Sequence, residues 1–136
     1  MSNASQSNMK SSNASVYVLF NLKFSEFVED LIYICPEVED LKTFRVALKM
    51  TTFANVKGAQ KIFNESLVQP FGAQIEARDE EFFLKEGYSE FGCDFNIISN
   101  LKKIWKKLDV DNKNMIWKYF QILTLISNKC QISKSI

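Results

Sequence analysis

Charged side chains that could supply acid–base or metal chemistry are concentrated at two places in the chain. Residues 78–81 read Arg-Asp-Glu-Glu and stand directly before three apolar residues. Neighbouring carboxylates can act as an acid and a base, or can bind a divalent cation. The order of these residues does not match a calcium loop, and no glycine or asparagine within them supplies the turn that such a loop needs. We therefore expect Arg78 to bridge to a carboxylate and to fasten this segment to a helix.

The second acidic group, Asp-Val-Asp-Asn-Lys at residues 109–113, begins like an EF-hand loop. An EF-hand requires glycine at its sixth position and glutamate at its twelfth, where this chain has Asn114 and Phe120. The group instead suits the start of a helix, because aspartate accepts hydrogen bonds from the first free amides. We expect Asp111 to cap the helix that follows.

The side chains that most enzymes use are missing. The chain has no histidine, and its three cysteines, Cys35, Cys93 and Cys130, form no Cys-x-x-Cys pair. Histidine-based triads and zinc knuckles are therefore excluded. Dinucleotide, P-loop and nucleophile-elbow motifs are also absent. The sequence predicts a protein that is not an enzyme, uses no cofactor or metal, acts on no small-molecule substrate and keeps its cysteines reduced and buried.

Basic residues are concentrated in the C-terminal part of the chain. From residue 95 onward there are eight lysines and two aspartates, whereas the preceding part has nine basic and fourteen acidic residues. A lysine face that includes tryptophans can contact phosphates and stack on bases. The candidate nucleic-acid or acidic-partner face comprises Lys102, Lys103, Lys106, Lys107, Lys113 and Lys118.

Another interpretation of these lysines is that they only solvate an outer helix face while Trp105 and Trp117 pack inward. No arginine lies among them, although arginine is preferred for bidentate contacts with bases and phosphates. The acidic residues between Glu26 and Asp40 have two interpretations as well. They complement the lysines or a basic partner, or they compensate helix dipoles and maintain solubility.

The elements that position these residues are predicted to be helices. Twelve phenylalanines combined with only four glycines and two prolines are typical of a helical chain. Apolar residues recur at helical spacing from Phe20, and Pro36 ends this first helix and opens a second one that runs to about Thr51. A third helix follows a cap at Asn55. It is expected to kink at Pro70 and to continue to about residue 77.

Two further helices are predicted after an internal loop over residues 85–93. The fourth has its inward face between Ile97 and Leu108. In the fifth, apolar residues between Ile116 and Ile126 cover nearly the whole circumference, which is typical of a helix surrounded by others. We therefore predict an all-α fold, a compact bundle of about five helices with the last helix at its centre.

The domain boundaries follow from composition. The first fifteen residues are rich in serine and asparagine and are predicted to form a disordered tail. Residues 16–130 form a single domain, and residues 131–136 are expected to fray. No apolar run reaches the roughly 18 residues that a membrane-spanning helix needs, and no secretory signal is evident. We expect an intracellular protein that does not enter a membrane.

Aromatic content suggests how such a protein acts. With 46% hydrophobic residues and eighteen aromatic side chains, the chain has more apolar surface than we expect so short a fold to bury. The predicted protein-interaction surface comprises Tyr88, Phe91, Trp117 and Tyr119. A protein partner or self-association is the expected use of this surface.

Three local strings indicate a possible origin. They are Phe-Ser-Glu-Phe-Val-Glu-Asp-Leu at 24–31 with Cys-Pro-Glu at 35–37, Pro70-Phe71 leading to Arg-Asp-Glu-Glu-Phe-Phe-Leu at 78–84, and Asn112-Lys113 with Ile-Trp-Lys-Tyr-Phe-Gln-Ile at 116–122. In this order the strings resemble small helical proteins of nucleocytoplasmic large DNA viruses, the giant-virus group. The resemblance covers residues 24–130 and carries over no catalytic or binding residue. It implies expression in the host cytoplasm or viral factory.

Together, these observations predict a non-enzymatic viral protein. Its expected role is protein–protein interaction or a structural part of the virion or factory. The alternative is a nucleic-acid-binding accessory protein that uses the lysine face of the last two helices.

Overall fold

A computed structural model of the chain describes residues 2–81 and 97–135. Within these ranges every regular element is helical, which confirms the predicted all-α class. The α-helices are α1 (Ser2–Ile34), α2 (Glu39–Ala54), α3 (Gly58–Phe63), α4 (Gln69–Glu76), α5 (Ile97–Ile104) and α6 (Val110–Ser135). A π-helical segment, Asn64–Val68, joins α3 to α4 without a break, so the described part contains five helices when these are counted as one. No helix in these ranges is both long and apolar enough to cross a membrane.

The two long helices, α1 and α6, form the main packing pair and run antiparallel. Phe27 near the end of α1 packs on Tyr119 and Phe120 near the start of α6, with ring centroids 4.9 and 5.4 Å apart. Phe20 and Phe24 of α1 meet Phe63 of α3 in edge-to-face contacts at 5.4 and 5.7 Å. These rings are almost fully buried, so the core is built mainly from phenylalanine.

Both long helices extend beyond their predicted ends. Where the sequence predicts a disordered tail over residues 1–15, α1 continues back to Ser2, and where it predicts fraying after residue 130, α6 continues to Ser135. Helix formation is cooperative, and adding residues to an existing helix is far easier than nucleating a new one. Among the described side chains, Tyr17 is the first buried residue and Cys130 is the last.

The junctions near α2 and α6 also differ in detail from the prediction. Helix α2 begins at Glu39 rather than Pro36, since residues 35–38 form a turn in which Val38 is extended. Helix α6 is capped by Asp109, whose Oδ1 accepts a hydrogen bond from the amide of Asn112 at 2.8 Å. The predicted cap, Asp111, instead lies in the first turn, where its charge still favours the positive end of the helix dipole.

Regular α-helical geometry is interrupted on both sides of Pro70. The residues before it are π-helical, and the amide of Gln69 donates to the carbonyl of Asn64. Phe71, directly after it, leaves helical geometry with φ −132° and ψ 16°. Proline has no amide proton to donate, and its ring excludes the carbonyl four residues earlier. A wider turn before the proline accommodates both effects.

Helix α4 ends in a left-handed turn at Arg78, where φ is 53°. The amides of Arg78 and Asp79 donate back to carbonyl groups in the last turn of α4, at 3.2 and 2.9 Å, which is the Schellman pattern of helix ends. The Arg78 guanidinium then reaches α6, where it donates to Asn114 at 3.5 Å and Gln121 at 3.3 Å. The segment is fastened to a helix as expected, but through amide oxygens rather than a carboxylate.

Candidate functional site

The six lysines of the predicted basic face do not act as one free surface. Lys103 Nζ lies 2.7 Å from Asp40 of α2, and Lys113 Nζ lies 2.7 Å from Glu80. Lys102 is half-buried and engaged in an interaction, and Lys118 lines a groove between α1 and α6. Lys106 and Lys107 are exposed in the turn after α5. Part of the basic charge therefore neutralises acidic residues of the same chain.

The tryptophans near these lysines pack inward. Trp105 and Trp117 are buried and meet edge to face, with ring centroids 5.6 Å apart. Glu80 accepts hydrogen bonds from Lys113 and from the Trp105 indole at 2.8 Å, and these donors lower the pKa of the Glu80 carboxyl. Because both rings are buried, neither can stack on a nucleic-acid base at the surface.

The predicted aromatic surface is corrected at one of its four residues. Trp117 is buried in the core, since its position on α6 faces Trp105 rather than solvent. Tyr119 is half-buried, and its hydroxyl donates to Asp30 of α1 at 2.5 Å. Burial and this hydrogen bond to a carboxylate raise the Tyr119 pKa far above its ordinary value. Tyr88 and Phe91, like the loop predicted over residues 85–93, lie outside the described residues.

Helix α6 is only partly enclosed, although its apolar circumference predicts a central position. It contacts α1, α3, the π-helical segment and α4. Four apolar side chains on its outer side are exposed: Val110, Ile122, Leu125 and Ile132. One side of α6 therefore faces solvent in the isolated chain.

A more continuous apolar surface lies on α2, where the sequence predicted none. Val46, Met50 and Phe53 are 54%, 68% and 95% exposed. Their spacing of four and three residues places them in one row along the helix. We call this row the α2 strip. The signal was present in the sequence as a second apolar row opposite the inward row that includes Leu41 and Leu48.

A group of buried polar side chains joins α3, the π-helical segment and α6. Gln60 Nε2 donates to the backbone carbonyl of Ser127 at 3.3 Å and to its hydroxyl at 2.9 Å. The Ser127 hydroxyl in turn donates to Asn64 Oδ1 at 3.3 Å. All three residues are buried. Sequence reasoning missed this network because Gln60 and Ser127 are 67 positions apart.

The buried network borders an open cavity of about 350 Å³, which we call the polar cleft. Its walls are formed by Tyr17, Asn55, Lys57, Gln60, Lys61, Asn64, Glu65, Gln69 and Gln131. Five of these nine side chains are carboxamides, and none is aliphatic. The cleft is therefore a polar site rather than an extension of the core.

We expect the Ser127→Ala substitution to lower the free energy of unfolding by about 1–2 kcal/mol, because it removes one of two hydrogen bonds of Gln60 Nε2 and leaves Asn64 Oδ1 without its partner. Urea denaturation measures the effect. Ser25→Ala is the matched control, since Ser25 is a half-buried helical serine whose hydroxyl makes no hydrogen bond with the described residues. A loss for Ser127→Ala no larger than for the control would show that the network does not stabilise the fold.

Within the described ranges, no three cysteine or carboxylate side chains lie close enough together to share a metal ion. No protein-family model, no curated protein sequence and no solved structure matches the chain.

Proposed function

We propose that this chain is a non-enzymatic interaction protein that binds a protein partner through the α2 strip. The exposure of Phe53, which is nearly complete, is the observation that carries the proposal. A contiguous row of large apolar side chains on a folded protein marks an interaction site more often than scattered single residues do. The resemblance to giant-virus proteins supports a partner in the virion or viral factory.

The chemistry of the α2 strip favours an amphipathic helix as its partner. Residues spaced as in the strip are the anchors that a helix presents to a groove or to another helix. Lys42 and Lys49 lie on the same outer side of α2 by helical periodicity, and Lys49 has no ion pair within the described residues. A partner with an apolar row bordered by acidic residues would match both features.

The test places a photo-reactive amino acid at position 53 in the full chain, in the cells that produce it. Crosslinked peptides are then identified by mass spectrometry. We expect crosslinks to a helical, acidic-edged segment of one partner. Crosslinks to a second copy of this chain, to lipid or to no polypeptide would each contradict the proposed partner.

A pair of matched variants separates binding from folding. Met50→Ser in the α2 strip is expected to abolish crosslinking from position 53, whereas Leu125→Ser on α6, where the side chain is similarly exposed at 63%, is expected to preserve it. Neither change should alter the free energy of unfolding by more than about 0.5 kcal/mol, because both sites are on the surface. Equal loss of crosslinking in both variants would argue against the α2 strip.

The alternative, nucleic-acid binding through the lysine face, is not favoured by a specific observation. Lys103 and Lys113 are paired with carboxylates, and both tryptophans are buried. Titration with labelled DNA at two salt concentrations tests this alternative, since phosphate contacts weaken steeply as salt rises.

A further inference from the structure

We propose that the polar cleft binds a small anionic molecule that carries a donor beside an acceptor on one edge, a chemistry that adenine mononucleotides and anionic primary amides share. The inference does not depend on the α2 strip, which lies on a different helix. It rests on solvent-accessible polar atoms of buried side chains that make no hydrogen bond within the described residues, on their fixed orientation, and on two lysines at the same cleft.

Three deeply buried side chains of the cleft keep polar atoms unused. Tyr17, Gln60 and Asn64 are 3%, 2% and 5% exposed. Among the described residues, the Tyr17 hydroxyl, Gln60 Oε1 and Asn64 Nδ2 make no hydrogen bond, yet none of these atoms is sealed from solvent. Polar atoms of such deeply buried side chains normally have a protein or a water partner. The opening that all three side chains line is the cleft, so a ligand or water there is the available partner.

The hydrogen bonds to Ser127 determine which atoms remain free. The Gln60 amide must present its nitrogen to the Ser127 carbonyl, because a carbonyl can only accept. Its oxygen is therefore the free acceptor. Asn64 uses its oxygen to accept from the Ser127 hydroxyl, which leaves its nitrogen as a free donor. The two residues are four apart, so an acceptor and a donor stand on adjacent turns of one helix.

An acceptor next to a donor matches a ligand edge that offers a donor next to an acceptor. Carboxamides of asparagine and glutamine pair in this way with the edge of adenine. A primary amide offers the same two groups, because its carbonyl and one of its N–H bonds lie on the same side. Such a pairing is directional and would reject a ligand that offers two acceptors.

The charge of the cleft favours an anion. Lys57 and Lys61 are exposed and form no ion pair within the described part of the chain. The Lys57 ammonium lies 5.3 Å from the centre of the Tyr17 ring, which holds it at the cleft by cation–π attraction. Glu65 is the single carboxylate among the lining residues, so the two lysines leave the site positive. A phosphate or carboxylate would complete it.

The backbone at the cleft is also unusual. Asn64 begins the π-helical segment, and π-turns inside α-helices are rare and often lie at functional sites. The cavity volume, about 350 Å³, falls within the range of small-molecule sites. Both features fit a site for a ligand of the size of a mononucleotide.

Isothermal titration of the full chain tests the proposal with four probes. Adenosine monophosphate and succinamate carry both an anion and the required edge, adenosine carries only the edge, and inorganic phosphate carries only the anion. We expect one of the first two to bind at least about tenfold more tightly than adenosine or phosphate. Whichever of these two probes binds more tightly identifies the chemical class to which the ligand belongs. No binding by either probe at millimolar concentration would overturn the proposal and leave the cleft filled with water alone.

Substitutions at exposed lysines separate ligand binding from folding, because surface changes should leave the stability of the fold nearly unchanged. Lys57→Gln and Lys61→Gln are each expected to weaken binding by about tenfold, because each removes a charge-assisted hydrogen bond. Lys129→Gln, at an exposed lysine on α6 that does not line the cleft, is the matched control and should change affinity by less than about twofold. Binding that is equally strong in both cleft variants and in the control would show that the ligand lies elsewhere.

Discussion

Replacing Phe24 with alanine is expected to lower the free energy of unfolding by about 3–5 kcal/mol. The Phe24 ring is fully buried, and it meets Phe20, Phe44 and Phe63 at centroid distances of 5.8, 5.8 and 5.7 Å. Removing it takes away the side chain that joins α1 to both α2 and α3, and it leaves a cavity that rigid neighbours cannot fill. Natural domains have a stability of about 5–15 kcal/mol. The loss is therefore a large part of the total stability, and urea denaturation followed by circular dichroism measures it.

Phe53→Ala is the matched control because it is the same chemical change at an exposed site. Its effect on the free energy of unfolding should stay within about 0.5 kcal/mol. A cost below about 1 kcal/mol for Phe24→Ala would show that α1 packs differently from the arrangement described above.

The second large effect is a loss of stability at alkaline pH. Burial raises the pKa of the Cys130 thiol from 9.0 to about 11. Below about pH 9 the thiol is protonated in both the folded and the unfolded chain, so stability is unaffected. Between about pH 9 and pH 11 the unfolded chain releases this proton while the folded chain retains it, and unfolding is favoured. Over this interval we expect a loss of about 2–3 kcal/mol from Cys130 alone.

Other buried groups act in the same direction. Burial also raises the pKa of Cys35 and Tyr17, and burial with the Asp30 hydrogen bond raises that of Tyr119. Urea denaturation at about pH 8 and about pH 11 measures the total. Cys130→Ala should be less stable than the parent chain at the lower pH but should lose less stability on going to the higher one. An identical pH dependence in the two chains would rule out Cys130 as a contributor.

The fold class was predictable because local patterns determine it. Helical spacing of Phe20, Phe24 and Phe27 indicated the buried face of α1, and the structure buries these residues. Helix ends were less predictable. Asp109 and Asp111 are separated by one residue. Their spacing alone cannot decide which of them accepts a hydrogen bond from a free amide in the first turn of α6. Similarly, Pro36 was consistent both with the start of α2 and with the turn that precedes it.

The candidate sites were harder to predict because they depend on contacts between distant parts of the chain. Nothing local reveals that Lys103 pairs with Asp40 or that Trp117 faces Trp105. The α2 strip was present as a pattern, but sequence does not show which of two apolar rows a neighbouring helix covers. The polar cleft depends on Gln60 meeting Ser127, and isolated glutamine and serine residues carry no periodic signal.

The antiparallel pairing of α1 with α6 has a consequence for synthesis on the ribosome. Tyr119 bonds to Asp30 across 89 positions, so α1 is synthesised long before the helix that completes its packing. Until then, Phe27 and its neighbours lack part of their cover, and the nascent chain exposes an aromatic surface that invites aggregation. Folding of this domain must therefore wait until α6 has left the ribosome and can dock on α1.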